Sequence, residues 1–395
     1  MPVQSTIPAK PIVLKWAREQ SRYSIREAAA LLSISAGTLA AIERGDPELT
    51  PPVFRKMLAV YQQVESVLLL PEPPDTPTIP HDYRTPGSAP TTISRETLSV
   101  IRDARRVQDY LSELAREEPE VIPLPRLPQA NLADDPAELA KGERYRLSVS
   151  TGKQASWEPR EAFEQWRGVV QAFGVTALLK KMPWEDCRGL SLWNDDLLPV
   201  IVVNSDDSVS ARNFTLFHEY AHLLLRKAGI CITEPSQTLR GQVERWCNTF
   251  SANFLVPSSD LSEAVRLMFP RVGRSDWTLN NVRRLAGKFR VSPYVMARRL
   301  KELKLSDFYD ANISELRNLD RKAKKKRPDG QKPVRIRPEV QRLSEVGTGL
   351  AFVVLDAWRG AVIDAGDAAD ILQLRPDQLA DFQERARATR NRRSA

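Results

Sequence analysis

Apolar positions recur three and four apart through most of this chain, and the places where that rhythm fails divide it into blocks. In Pro11 to Gln63 the spacing predicts four or five short helices. These are Val13 to Ser21, a second opened by Ser24 as N-cap, a third from Ala36 to Arg44 that Gly45 stops, and Pro52 to Tyr61 with Val53, Met57, Val60 and Tyr61 inward. A long helix follows from Ile93 to Glu117, capped by Ser94, with Leu98, Ile101, Ala104, Val107, Leu111 and Leu114 on one face. Its arginines, Arg95, Arg102, Arg105 and Arg106, fall on other faces and read as solvated surface. Prolines at 119, 123, 125, 128 and 136 predict an irregular stretch over residues 118–156.

From Glu158 onward the period changes. Arg160 to Phe173 is an amphipathic helix, and Val175 to Lys180, Gly189 to Trp193 and the β-branched Leu198 to Asn204 read as strands. Asn204 to Ser210 then caps a helix, Ala211 to Leu225, whose stripe is Phe214, Phe217, Ala221, Leu224 and Leu225. Further helices are expected from Leu239 to Leu255, stopped before Pro257, and over Leu261 to Met268, Leu279 to Phe289 and Ser292 to Leu303. A small helical tail spans Val340 to Ala388, with helices Gly349 to Trp358, Ala365 to Leu372 and Pro376 to Ala386. Its Leu350, Phe352, Val353, Leu355 and Trp358 are more apolar than a free tail needs, so it docks on the body or takes a partner.

Two stretches lack any period and serve as connections. Pro71 to Pro90 is too proline-rich for a helix or central strand, and Arg321 to Lys332 is a run of basic charge, a linker open to nucleic-acid contact. The resulting division is 1–70, a helical bundle; 71–156, proline-rich linker and long helix; 157–310, a domain with a small sheet; 311–335, basic linker; and 336–395, helical tail. The fold class is α+β, mostly helical.

Composition narrows this little. With 42% apolar residues, a 395-residue chain can fill two or three cores. No apolar run approaches a bilayer span of roughly 18–20 residues, and Met1 to Lys15 lacks a signal-peptide pattern, so the cytoplasm and no membrane partner are expected. Three cysteines, Cys187, Cys231 and Cys247, form no C-x-x-C and argue against a disulfide framework. The formal charge of +8 allows a polyanionic partner without requiring one.

The chemistry is concentrated in Ala211 to Leu225, which carries His218, Glu219 and His222 as H-E-x-x-H. Residues four apart sit one helical turn apart, so both imidazoles can aim at one ion, and zinc takes neutral imidazole at about 2.0–2.1 Å while a catalytic site leaves a position for water. Glu219, beside the first ligand, is placed to take that water's proton. The chain has three histidines, and a shuffled sequence would give this pattern on the order of one time in a thousand. His81, far upstream among prolines, is a poor third ligand. Glu244 on the following helix is the preferred one, with Glu234 and Cys247 as the other candidates.

Residues of about 157 to 305 resemble the ImmA/IrrE family of zinc metallopeptidases, whose second motif is matched by Glu244, Cys247, Asn248, Phe250, Ser251, Leu255 and Pro257. The resemblance implies a thermolysin-like (gluzincin) domain with zinc on His218, His222 and Glu244 and with Glu219 as general base. Cys247 and Ser251 depart from the alanines usual there. The strand just ahead of the metal helix, Leu198 to Asn204, is where such peptidases hold substrate backbone to backbone. Ser24 to Ala30 and Ile34 to Asp46 resemble the Xre-type helix-turn-helix, which implies DNA contacts from Arg22, Arg26, Thr38 and Arg44. However, Ile25, Ala36, Gly37, Ala40 and Ala41 replace the polar residues that usually read bases, so the module either binds DNA weakly with little sequence choice or serves protein contacts or dimerisation. His81-Asp82-Tyr83-Arg84 resembles an element of fused family members.

Two functions follow from the resemblance. One is a regulatory zinc peptidase that cleaves a repressor or antitoxin-like protein; the other is a non-catalytic regulator that neutralises a PIN-type nuclease toxin by binding. The partners implied are a protein substrate or toxin, DNA through the N-terminal domain, and a second copy of the chain if it forms a homo-oligomer.

Overall fold

The computed structural model describes residues 7–46, 49–61, 63, 65–74, 93–119, 122, 124–227, 229–231, 239–323 and 336–394. Its chain forms two compact units, residues 1–79 with 92–102, and residues 80–91 with 103–395. His81 to Arg84, Glu234 and most of the basic run after Arg321 lie outside the described residues.

The first unit holds α1 (Pro11–Gln20), α2 (Ile25–Leu32), α3 (Ala36–Ile42), α4 (Pro51–Tyr61), α5 (Glu65–Leu68) and the opening turns of α6 (Arg95–Glu117). Ser24 caps α2 through a reciprocal box with Glu27, and Ser33, at φ 59°, makes the left-handed turn into α3. Val13, Leu14, Ala28, Leu32, Leu39, Met57 and Tyr61 fill the core. Phe54 is buried where the periodicity favours Val53 and Val60, which are only half-buried. The buried Arg18 guanidinium joins α1 to the end of α3, with Nε donating to Glu43 at 2.7 Å. Arg95 is part-exposed, as its pattern suggests, but it is not without partners. It donates to the Arg22 carbonyl at 2.8 Å and to Glu27 at 2.7 Å, and lies over the Tyr23 ring at 4.3 Å.

In the second unit, residues 118–156 are not irregular throughout. They contain α7 (Pro136–Arg146) and α8 (Thr151–Ser156). Pro136 starts α7 rather than breaking it, because a proline at N1 has no amide to satisfy and Asp135 caps the turn from outside. Next come α9 (Ala162–Ala172), β1 (Thr176–Lys180), β2 (Gly189–Asn194), β3 (Leu197–Asn204), α10 (Val209–Leu224), β4 (Gly229–Cys231) and α11 (Leu239–Leu255). The sheet order is β1-β3-β2-β4, with β1 parallel to β3 and the other pairs antiparallel. β3 is therefore central, with both edges taken. It cannot pair with a substrate backbone as the sequence suggested, and its β-branched run is a core strand buried on both faces.

The remaining helices are α12 (Ser258–Met268), α13 (Leu279–Lys288), α14 (Pro293–Glu302), α15 (Phe308–Ala323), α16 (Pro338–Arg359), α17 (Ala365–Leu372) and α18 (Leu379–Ser394). α15 runs into the stretch read as linker. α16 is longer than its apolar pattern suggested, because its N-terminal part is bent at Gly347 (φ 76°) and held by polar contacts. Arg167 on α9, fully buried, donates to the carbonyls of Ser344 and Glu345, and Lys180 on β1 reaches Glu345 and Gln373, each at 2.9 Å. The tail thus docks on α9 and β1. Among the described residues no single helix is long and apolar enough to cross a membrane.

Gly347 is required twice over: its φ is positive, and a Cβ there would lie 2.6 Å from Arg167 atoms. Gly347→Ala is expected to lower unfolding stability by roughly 1–3 kcal/mol, since backbone strain and a displaced buried cation act together. Denaturant unfolding of the two proteins measures this, and an unchanged midpoint would contradict it.

Candidate metal centre

α10 begins at Ser208, whose hydroxyl accepts the Ala211 amide, and it runs through the interior with twelve of its sixteen residues buried. Its apolar residues meet α9 and α11 in an aromatic stack. Trp166 and Phe217 are 4.8 Å apart edge to face, and Phe217 lies on Phe254 at 3.9 Å. The C-terminal end of α11 is pinned by three buried polar side chains: Arg144 donates to the Phe254 carbonyl, Gln154 to that of Leu255, and Arg299 to that of Val256. Ser251, one of the departures from the family pattern, donates to the Phe214 carbonyl at 2.9 Å and ties α11 to α10.

This packing brings three side chains to one point. His218 Nε2 and His222 Nε2 are 3.2 Å apart, and Glu244 places its carboxylate oxygens 3.2 Å from the first and 3.5 Å from the second. Bonds of about 2.0–2.1 Å at tetrahedral angles put ligand atoms roughly 3.3–3.4 Å apart, close to the 3.2 Å between the two Nε2 atoms and between His218 Nε2 and Glu244 Oε2, while it is Oε1 that lies 3.5 Å from His222. The donor set also fits chemically, because two ring nitrogens and a carboxylate converge within 4.8 Å of one another. Burial works to raise Glu244, but the hydrogen bonds and charges of His218 and His222 outweigh it and hold the carboxyl well below the usual range. Burial lowers His218, yet the hydrogen bond and charge of Glu244 leave it raised on balance.

Asn248 supports one corner of this cluster. Its side-chain oxygen lies 3.1 Å from His218 Nδ1, which fixes the tautomer that leaves Nε2 free for an ion. It sits four residues after Glu244, one turn along the same face, so the spacing that picks out Glu244 could also have picked out Asn248. Cys247 is buried and apart from the triangle; burial, then the charges of Glu244 and Glu219, push its thiol well up and keep it a neutral packing group. Glu219 is fully buried, and neither carboxylate oxygen has a hydrogen-bond partner among the described residues. Desolvation raises its proton affinity against the pull of both histidines.

The DNA candidates sit on the first unit and are all exposed. Arg22 donates to the Ile93 carbonyl at 3.0 Å, and the Thr38 hydroxyl is 2.8 Å from that of Ser35. Arg26 and Arg44 face outward from α2 and from the end of α3.

A helix bearing H-E-x-x-H, a second helix supplying a carboxylate and a small sheet against the first define a metallopeptidase-like domain. Residues 170–301 match the peptidase family described as the IrrE N-terminal-like domain, and residues 14–69 match the family described as helix-turn-helix. The chain therefore joins an Xre-type helix-turn-helix domain to an IrrE/ImmA-like domain. No curated protein matches it.

Metal analysis of purified variants follows directly. His218→Ala and Glu244→Ala should lose the ion, Glu219→Gln and Cys247→Ala should keep about one per chain, and Asn248→Ala should weaken binding by about 10–100-fold. Stoichiometric metal in the Glu244→Ala protein would contradict the assignment.

Proposed function

We propose that this protein is a regulatory zinc metallopeptidase whose substrate is a repressor or antitoxin-like protein. Zinc would be held by His218, His222 and Glu244 and, when bound, would polarise a substrate carbonyl and acidify a water. Asn248 keeps the His218 ring turned toward the ion. Glu219 takes a proton from the attacking water and returns it to the leaving amine, a role suited to a carboxylate whose proton affinity burial has raised. The observation that supports this reading is the fully buried carboxylate of Glu219 on the same helix as His218 and His222, next to the cluster they form with Glu244. A scaffold has no use for it, and burying a carboxylate costs stability.

The alternative, a toxin-neutralising protein that works by binding, draws on the burial of the whole donor set, at 3% exposure for His218, 2% for His222 and 7% for Glu244. Glu219→Gln separates the two. The variant should keep fold and metal but lose the biological effect and trap an uncut partner on co-purification from the host. Wild-type and variant samples carrying the same intact, toxin-like partner would contradict the peptidase reading.

The helix-turn-helix domain we read as a weak, weakly selective DNA binder. Residues 14–69 carry seven Lys and Arg against six Asp and Glu, and the exposed start of α3 offers Gly37 and a Thr38 hydroxyl already bonded to Ser35. Binding should fall steeply with salt and discriminate little among sequences. A tight footprint on one operator at about 150 mM salt, surviving Arg26→Ala and Arg44→Ala, would contradict this.

A further inference from the structure

Strand β2 presents two residues to the helix that carries Glu219. At Gly189 a Cβ would lie 2.5 Å from Thr215 Cγ2 and 3.2 Å from Glu219 Cγ, so the strand and α10 approach as closely as glycine allows. Residues two apart on a strand share a face, which turns Ser191 toward α10 as well. Its hydroxyl is fully buried and has no partner in hydrogen-bond geometry among the described residues. Both oxygens of Glu219 are in the same condition. The Ser191 hydroxyl and the Glu219 carboxylate therefore meet across this contact, the hydroxyl within reach of the carboxylate as a donor though not in ideal hydrogen-bond geometry. Neither group belongs to the ligand triangle or to a helix cap. A buried hydroxyl in a strand interior is otherwise an unfavourable choice over alanine.

We infer that Ser191 is a positioning residue for Glu219: its hydroxyl holds one carboxylate oxygen toward β2 and so aims the other at the point where His218, His222 and Glu244 converge. The inference rests on the reading of Glu219 as the proton acceptor of a peptidase. Gly189 belongs to the same arrangement, since any side chain there would push Glu219 and Thr215 away from Ser191.

Acetohydroxamate binding to the zinc-loaded full chain tests this without a substrate, because a hydroxamic acid chelates zinc and hands its proton to a neighbouring carboxylate. Calorimetry on wild type, Ser191→Ala, Ser191→Thr and Glu219→Gln, with zinc content and melting temperature measured on each, gives the answer. Glu219→Gln should weaken binding by about tenfold or more, and Ser191→Ala by about fivefold, the worth of one hydrogen bond. Ser191→Thr, which keeps the hydroxyl, should return to within about twofold of wild type, with zinc and melting temperature unchanged throughout. Wild-type affinity in Ser191→Ala beside a weakened Glu219→Gln overturns the inference and leaves the peptidase reading standing. Affinity indifferent to Glu219→Gln overturns that reading and the inference with it. Zinc loss or a lowered melting temperature in Ser191→Ala marks a structural role and also overturns the inference.

Discussion

The second unit depends on a costly convergence: two imidazoles and two carboxylates lie buried within one turn's reach on α10 and α11. Charged or half-paired groups inside a protein destabilise it unless something of opposite charge completes them, and His218, His222 and Glu244 complete one another only in part. A divalent ion would supply the missing charge, and its binding free energy would then be folding free energy as well. Much of the surrounding structure holds α10 and α11 in the register this needs. The Trp166, Phe217 and Phe254 stack sets their separation, Ser251 links their backbones, and Tyr220 is tied to α7 by a 2.6 Å bond to Glu143.

Parts of the chain outside the IrrE-like match share this duty. Arg144 on α7 and Gln154 on α8 bond the last carbonyls of α11, so segments with no motif of their own fix the helix that supplies Glu244. The Arg167 contact with α16 and the Lys180 contacts with Glu345 and Gln373 bring the C-terminal helices against α9 and β1. A truncation to the matched residues 170–301 would remove Arg144, Gln154, Arg167 and α16, and so would leave the end of α11 and Lys180 without these partners.

How much of this could be read from the sequence varied with the range of the interactions involved. Helices with a local signal were legible: Ser24, Ser94 and Ser292 mark starts, and α11 and α17 fall where the apolar spacing and the stop residues put them. The convergence of His218, His222 and Glu244 is legible because the two histidines lie on one helix turn and Glu244 follows on the next long helix. α7 has no clear local signal, because Pro136 reads as a breaker although a proline at N1 starts a helix. The central place of β3 depends on pairing between distant strands, which no local pattern encodes. Ser191 and Gly189 escaped for the same reason: their meaning comes only from the helix laid against them. Arg95 is surface charge as its pattern suggests, but its partners Arg22 and Glu27, about seventy residues away in sequence, carry no local signal.

The central claim is that one ion is held by two imidazoles and a carboxylate. X-ray absorption at the zinc edge of the loaded protein tests it most directly. A first shell of nitrogen and oxygen alone at about 2.0–2.1 Å, with the outer-shell scattering of two imidazoles, is the predicted result. A sulfur scatterer at about 2.3 Å would place Cys247 or another thiolate on the metal and contradict the account.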